Sequence, residues 1–179
     1  MSSVPRRTLL LVEDDPDDLE LTMHALRRCG YIDDIVVMRD GREAEDYLFA
    51  QGDFAGCDDS LRPAVLLLDL GLPRVSGFDL LARACADPRT FRMPVIVLTG
   101  SKDPRQIDKA YELGASSYIL KTSDPGELAR TLGKVIQYWL ELNVAPVQRG
   151  LGSAAAAAPH DTAALPAAPP ATSPKDNRH

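Results

Sequence analysis

The sequence lacks the features that mark redox or metal-binding cysteine proteins, membrane proteins and secreted proteins. Its three cysteines, Cys29, Cys57 and Cys85, are far apart and form no C-x-x-C pair, so we expect reduced thiols with no redox or metal role. No stretch comes near the roughly 18 consecutive apolar residues of a membrane span, and residues 1–7 show no signal-peptide pattern. These absences predict a cytoplasmic protein that does not enter a membrane.

Positive charge is also scarce. The chain has 20 Lys and Arg against 26 Asp and Glu, which gives a net charge of −6. Proteins that bind nucleic acid by neutralising phosphates need clustered Lys and Arg, and no G-x-x-x-x-G-K-[ST] loop for a nucleotide is present. We therefore expect proteins or small ions as partners, and no nucleic acid.

Composition divides the 179 residues into two parts. The 33 residues from Val147 onward include 10 Ala and 5 Pro and show no periodic apolar face. A segment of this kind cannot bury enough apolar surface to become ordered. We expect one domain over residues 6–146 and a disordered tail over residues 147–179.

Within the domain, short apolar runs alternate with amphipathic stretches at helical spacing. The runs are rich in Val, Ile and Leu, which is typical of strands buried on both faces. Three of the helices begin with Asp-Pro, a good cap and first position. A β-α order repeated five times predicts an α/β fold with a doubly wound, five-stranded parallel sheet. The predicted strands are Thr8–Val12, Ile35–Met38, Ala64–Leu70, Val95–Thr99 and Ser117–Leu120.

Polar side chains stand at the ends of four of these strands. Glu13–Asp15 follows the first strand, Asp69 ends the third, Thr99 ends the fourth and Lys121 follows the fifth. In doubly wound sheets the functional site lies at the carboxyl ends of the strands. We expect carboxylates, a hydroxyl and an ammonium group around a single crevice.

The carboxylates predict a metal site. Glu13 and Asp14 concentrate negative charge beside a buried strand, and Asp69 emerges directly from one, where desolvation is expensive without a partner. Clustered carboxylate oxygens suit Mg²⁺. We expect Asp15 to serve as a helix cap instead, and residues 17 and 18 to be first-turn aspartates that favour the helix dipole.

Four motifs, taken together and in this order, resemble a known family. VEDD, LLLDLGLP-x-x-x-G, VIVLTGS and YILK occur at these strand ends. The set resembles the receiver domain of bacterial two-component response regulators over roughly residues 6–143. The resemblance implies a flavodoxin-like (βα)₅ receiver fold that accepts a phosphoryl group from a histidine kinase. Such a protein is a signalling switch that assists its own phosphotransfer and dephosphorylation, and is not an enzyme in the ordinary sense.

The resemblance also implies a metal-ligand set. Asp14 would bind Mg²⁺ directly, Glu13 would hold it through water, and Asp69 and the backbone carbonyl of Gly71 would complete the protein ligands. Mn²⁺ could substitute for Mg²⁺.

The remaining roles follow the family's phosphoryl chemistry. Asp69 would be the phosphoacceptor, Thr99 would bind a phosphoryl oxygen and Lys121 would pair with the phosphoryl group. Tyr118 would be the aromatic switch.

A narrower likeness concerns the partner. The segments ADPRTFRMPVIVLTGS, AYELGASSYILK and YWLELNVAP resemble single-domain regulators that partner bacterial phytochrome histidine kinases. In that subfamily the C-terminal aromatic segment helps to build a homodimer. Here the sheet cannot bury all the apolar side chains of this segment, and we expect a dimer or partner surface that includes Tyr138, Trp139 and Leu142. No output motif follows the receiver motifs, so we expect the signal to leave by protein contact.

Three positions depart from the family pattern. Thr122 follows Lys121, where the family usually has proline after a cis bond; a cis bond without proline costs about 3–4 kcal/mol, so the isomer and the reach of Lys121 stay open. Gly71 replaces a frequent Asn, which leaves metal binding possible but affects the phosphoryl lifetime. Ser101, two residues after Thr99, is another position where that lifetime can be tuned.

Two other functions of such a sheet do not fit these residues. An aspartyl phosphatase of the haloacid dehalogenase kind needs a second Asp two positions after the nucleophile, where this chain has Gly71. A flavin site needs a phosphate-binding loop after the first strand, where Glu13–Asp15 would repel phosphate. The alternative that stays open is a receiver-like interaction module that signals without phosphorylation, which Thr122 favours.

Overall fold

Five strands and five helices alternate along the chain in a computed structural model, which describes residues 8–30, 35–56 and 62–144. A 3-10 turn, Gly52–Phe54, follows the second helix, and a π-helical turn, Tyr138–Leu142, extends the fifth. The strands are β1 Leu9–Val12, β2 Ile35–Met38, β3 Val65–Leu68, β4 Val95–Thr99 and β5 Ser117–Leu120. The helices are α1 Pro16–Arg28, α2 Gly41–Leu48, α3 Gly77–Ala86, α4 Pro104–Glu112 and α5 Pro125–Gln137.

The strands form one parallel sheet in the order β2-β1-β3-β4-β5. This order confirms the predicted doubly wound five-stranded fold. Strands β2, β4 and β5 have the predicted bounds, and β1 begins one residue later than expected. The third strand ends at Leu68 and not at Leu70, so Asp69 is the first residue after the strand. The predicted tail over residues 147–179 lies outside the described residues.

Apolar side chains from both faces of the sheet build two cores. Strands β1, β3 and β4 are buried along their whole length. Because successive side chains point to opposite faces, Leu10 and Leu66 pack on the side of α2, α3 and α4, whereas Leu9 and Leu67 pack on the side of α1 and α5. Both faces of the sheet are therefore covered, and its carboxyl edge is left for the site.

Aspartates cap the three helices that begin with Asp-Pro. Asp15 Oδ1 accepts hydrogen bonds of 2.9 Å from the backbone N–H groups of residues 17 and 18. Asp103 and Asp124 cap α4 and α5 in the same way. The cap at Asp15 confirms that prediction and starts α1 directly beside the acidic end of β1. No helix in the described ranges is long and apolar enough to cross a membrane.

Candidate functional site

Three carboxylates meet at the carboxyl edge of the sheet. Glu13 and Asp14 follow β1, and Asp69 follows the neighbouring β3, whose last residue pairs with Val12. One oxygen from each carboxylate can be chosen so that all three lie within 4.8 Å of one another. Glu13 is 1% exposed and Asp69 is 8% exposed, whereas Asp14 faces solvent. The structure therefore brings together the three acidic side chains that the sequence predicted to converge.

The Lys121 ammonium lies among these carboxylates. Its Nζ is 2.7 Å from Glu13 Oε2 and 3.1 Å from Asp69 Oδ1. The backbone N–H of Lys121 donates to the carbonyl of Thr99, which fixes the residue at the end of β5. All peptide bonds within the described ranges are trans. The bond between Lys121 and Thr122 is therefore trans, and the Lys121 ammonium contacts Asp69 without a cis bond or a proline after it.

Asp18 is a third carboxylate in contact with Lys121, and the sequence did not predict this contact. Asp18 Oδ2 is 2.8 Å from Lys121 Nζ. Asp18 does lie in the first turn of α1, as expected, but its side chain also turns toward the site. The two residues are 103 positions apart. The only signal in the sequence was the cap at Asp15, which places Asp18 in the first turn beside the acidic strand end.

The loop after β3 holds the Asp69 carboxylate in place. The backbone N–H of Gly71 donates to Asp69 Oδ2 over 2.7 Å, while Oδ1 faces Lys121. A side chain at position 71 would begin 3.0 Å from Asp69 Oδ2, which is a tight contact. Gly77 packs so closely that a Cβ would lie 2.3 Å from the Asp69 carbonyl oxygen. The loop therefore folds back on Asp69, and each carboxylate oxygen has a donor.

Thr99 and Tyr118 lie on the other side of the crevice. Thr99 ends β4, is buried, and its Oγ1 accepts a 3.4 Å hydrogen bond from the backbone N–H of Ser101. The Tyr118 hydroxyl donates to the carbonyl of Ser101 over 3.1 Å. Tyr118 on β5 is thus hydrogen-bonded to the loop that follows Thr99 at the end of β4.

Burial and charge shift the proton affinities at this site. Burial raises the pKa of Glu13 to about 7, although the Lys121 ammonium opposes the shift. Burial alone would lower the pKa of Lys121, but its hydrogen bonds to Asp18 and Glu13 outweigh that effect and raise the pKa. Lys121 is therefore a permanent cation that offsets part of the negative charge of the cluster.

The raised pKa of Glu13 predicts a pH-dependent stability. Glu13 binds its proton more tightly in the folded protein than in the unfolded chain, where its pKa is near 4.5. Its stabilising contribution is therefore complete below that value and is lost as the pH rises through about 7, by on the order of 3 kcal/mol. In EDTA, the free energy of unfolding in urea should fall mainly between pH 5 and pH 7.5, that is, between the unfolded and the folded pKa of Glu13.

Glu13→Gln should flatten this fall, while Glu20→Gln, which changes an exposed glutamate of α1, should leave it unchanged. If wild type and Glu13→Gln lost stability equally over this range, the shift assigned to Glu13 would be wrong.

The oxygen atoms at the site fit a divalent cation. Glu13, Asp14 and Asp69 provide hard carboxylate ligands on neighbouring strand ends, which is the chemistry that Mg²⁺ and Mn²⁺ accept. No nitrogen or sulfur ligand accompanies them in this group. The ligand roles of these residues and of the Gly71 carbonyl stay predictions.

The C-terminal aromatic segment is only partly covered. Tyr138 is 50% exposed and Leu142 is 67% exposed. Trp139 packs partly against the core beside α1 and α5, with its ring 5.1 Å from that of Tyr138 in an edge-to-face arrangement. The sequence interpretation therefore applies to Tyr138 and Leu142 more than to Trp139, and the homodimer stays a prediction.

Comparisons with known proteins agree with this geometry. Residues 9–133 match the family model described as the response regulator receiver domain. The response regulator Rcp1 of Synechocystis sp. is 33% identical over 144 residues, which cover 80% of this chain and 96% of Rcp1.

Two crystal structures have the same fold. The phosphorylated cyanobacterial phytochrome response regulator RcpA matches with a TM-score of 0.72 and 33% identity, over 79% of this chain and 99% of RcpA. The Mn²⁺-bound form of Rcp1 matches with a TM-score of 0.70 and 32% identity, over 79% of this chain and 100% of that chain. The family match includes every residue of the site from Glu13 to Lys121.

Proposed function

The chain belongs to the response regulator receiver family of two-component systems, and from that premise we propose that it is a phosphorylation-dependent signalling switch. Asp69 accepts a phosphoryl group from the phosphohistidine of a sensor histidine kinase. The observation that carries this proposal is the environment of Asp69, whose two carboxylate oxygens face the Gly71 N–H and the Lys121 ammonium at the centre of the acidic cluster.

The proposed reaction moves one phosphoryl group between two anionic surroundings. An oxygen of Asp69 forms a bond to phosphorus while the bond from phosphorus to the kinase imidazole nitrogen breaks. Charge repulsion and charge developing on the equatorial oxygens make up most of the barrier. Lys121 stands 3.1 Å from Asp69 Oδ1, where its ammonium can neutralise this charge. The N–H of Gly71 keeps the carboxylate oriented for the approach.

A bound Mg²⁺ would supply further charge neutralisation and a template for in-line approach. The residues that would hold it are Glu13, Asp14, Asp69 and the carbonyl of Gly71. Mn²⁺ is the alternative ion, which the Mn²⁺-bound Rcp1 structure supports. Water then hydrolyses the acyl phosphate and resets the switch.

Thr99 and Tyr118 are proposed to carry the signal away from Asp69. The Thr99 hydroxyl donates to a phosphoryl oxygen and moves toward it, and Tyr118 enters the space that Thr99 leaves. Because the Tyr118 hydroxyl donates a hydrogen bond to the carbonyl of Ser101, the loop after β4 and strand β5 move together. This biases a two-state surface of α4, β5 and α5, and a partner that favours one state reads the change by contact.

A bacterial phytochrome kinase is the proposed phosphoryl donor. Support comes from the likeness to RcpA, which is a cyanobacterial phytochrome response regulator, and to Rcp1. We place the exchange in the cytoplasm, where kinases draw on ATP. A homodimer would form through the exposed Tyr138 and Leu142 at the end of α5.

Phosphotransfer profiling tests the proposed function. Purified histidine kinases, one of them a phytochrome kinase, are labelled with radioactive ATP and mixed with this chain and Mg²⁺. The phytochrome kinase should transfer its label fastest. If no kinase transfers label, the phosphorylation-independent module becomes the better account. Thr122 does not favour that module, because Lys121 contacts Asp69 without a proline after it.

Residues 6–146 are proposed to be sufficient for this function. The family match over residues 9–133 and the described elements, which end at Leu142, all lie within this range. A chain that ends at residue 146 should unfold within about 2 °C of the full-length protein in calorimetry and should accept phosphoryl groups at the same rate. A much lower melting temperature would contradict the proposed boundary.

A further inference from the structure

We propose that Asp18 is a positioning residue that holds the Lys121 ammonium beside the phosphoacceptor. The inference rests on the proposed function, because it concerns the cation that meets the incoming phosphoryl group. Asp18 Oδ2 lies 2.8 Å from Lys121 Nζ. Asp18 is not one of the three carboxylates that could hold a metal ion. Asp18 therefore contacts the Lys121 ammonium without being a candidate ligand of the metal ion.

The backbone on both sides of this contact is anchored. The N–H of Asp18 donates to the Asp15 cap over 2.9 Å, which fixes the start of α1. The N–H of Lys121 donates to Thr99 over 2.9 Å at the end of β5. The contact between Asp18 and Lys121 thus joins the first turn of α1 to the residue that follows β5.

Asp18 can keep its hold on Lys121 throughout the reaction. Glu13 and Asp69 also contact the ammonium, but a metal ion and a phosphoryl group would draw on the same oxygens. The Asp18 carboxylate lies outside the three-carboxylate cluster, so a metal ion bound there would not compete with Lys121 for its oxygens. Because an ammonium group has three N–H donors, one can stay on Asp18 while the others turn to the phosphoryl oxygens.

Losing this contact should cost reaction rate and not folding. The lysine stem has four flexible carbons, and without Asp18 it must be ordered again at each transfer. The Asp18 side chain is 42% exposed, so solvent screens the pair and the effect is modest. We expect Asp18→Asn to slow phosphorylation about fivefold, the upper end for an exposed ion pair.

The test compares Asp18→Asn with Asp17→Asn, which removes the same charge from an exposed position one residue away. Phosphorylation by acetyl phosphate is followed at saturating Mg²⁺. Asp18→Asn should be about fivefold slower, Asp17→Asn should match wild type, and Asp18→Glu should recover most of the rate. Equal rates for Asp18→Asn and wild type, or equal losses in both Asn variants, would overturn the inference.

A double-mutant cycle separates positioning from general electrostatics. In a Lys121→Gln background, Asp18→Asn should have no further effect, because the partner it positions is gone. A full additional loss would show that Asp18 acts independently of Lys121.

Nuclear magnetic resonance of lysine ammonium groups gives a readout that does not need phosphorylation. The Lys121 signal, assigned by its absence in Lys121→Gln, should be visible in wild type and Asp17→Asn and broadened by exchange in Asp18→Asn. An unchanged signal in Asp18→Asn would contradict the positioning role. If the three proteins gave these signals but the wild type took up no phosphoryl group, the proposed function would be contradicted and the positioning role would not.

Discussion

Asp69→Asn should abolish phosphorylation of the chain. An amide cannot form the acyl phosphate that the carboxylate forms, and no other group in the described part of the site has both Asp69's position after β3 and its two donors, Gly71 and Lys121. Incubated with Mg²⁺ and acetyl phosphate, wild type should gain the mass of one phosphoryl group, stable in acid and labile in base. Asp69→Asn should gain none in intact-mass spectrometry.

Two controls make this result specific. Asp17→Asn removes an exposed carboxylate near the site and should be phosphorylated like wild type. Asp69→Asn should keep its fold, because the amide oxygen can still accept from the Gly71 N–H; circular dichroism checks this. A persistent base-labile mass gain in folded Asp69→Asn would show that another residue is the acceptor.

Lys121→Gln should have the second-largest effect. The ammonium is the only cation whose contacts with both Glu13 and Asp69 are seen in the described residues, so its removal leaves developing phosphoryl charge without this neutralising group. The rate of phosphorylation should fall by about 10²–10³-fold, as when one electrostatic stabiliser is removed from an enzyme. Stopped-flow or gel-based phosphorylation kinetics at saturating Mg²⁺ would measure it.

The same variant should also be less stable without a metal. Glu13 is almost completely buried, and breaking a buried ion pair leaves an uncompensated charge that costs about 3–5 kcal/mol. Urea unfolding in EDTA above pH 7 should show this loss, and Mg²⁺ should restore part of it. Lys134→Gln, at an exposed position of α5, is the control; a Lys121→Gln variant that matched it in rate and stability would contradict the assigned role.

The fold was predictable because its signals are local. Runs of Val, Ile and Leu identify buried strands within a few residues, and each Asp-Pro pair marks a helix start through hydrogen bonds that span only two or three positions. The end of β3 was predicted two residues late. Leu70 is buried although it lies outside the strand, and hydrophobicity alone does not distinguish a strand from a buried loop.

The site was predictable in part. Asp69 and Lys121 meet, and Thr99 ends β4 at the same edge, because parallel strands end at the same edge of a sheet, which is a rule of topology. The contact of Asp18 with Lys121 is different, since it depends on the direction in which one turn of α1 presents its side chains. Nothing in the sequence near Asp18 encodes a partner 103 positions away.

The packing of the C-terminal aromatic residues was beyond the sequence as well. Tyr138 and Trp139 are adjacent, and composition gives both the same expectation. Both lie in the π-helical turn that follows α5. Trp139 packs partly against the core and Tyr138 is left half exposed, so Tyr138 is the more exposed of the two.

Chemical trapping of the phosphorylated residue tests the whole account most directly. After phosphotransfer from a labelled histidine kinase, borohydride reduces an aspartyl phosphate to homoserine, and peptide mass spectrometry then identifies the position. We expect homoserine at position 69 and at no other aspartate. Homoserine at Asp14 or Asp18, or none despite kinase activity toward another receiver, would show that Asp69 is not the acceptor.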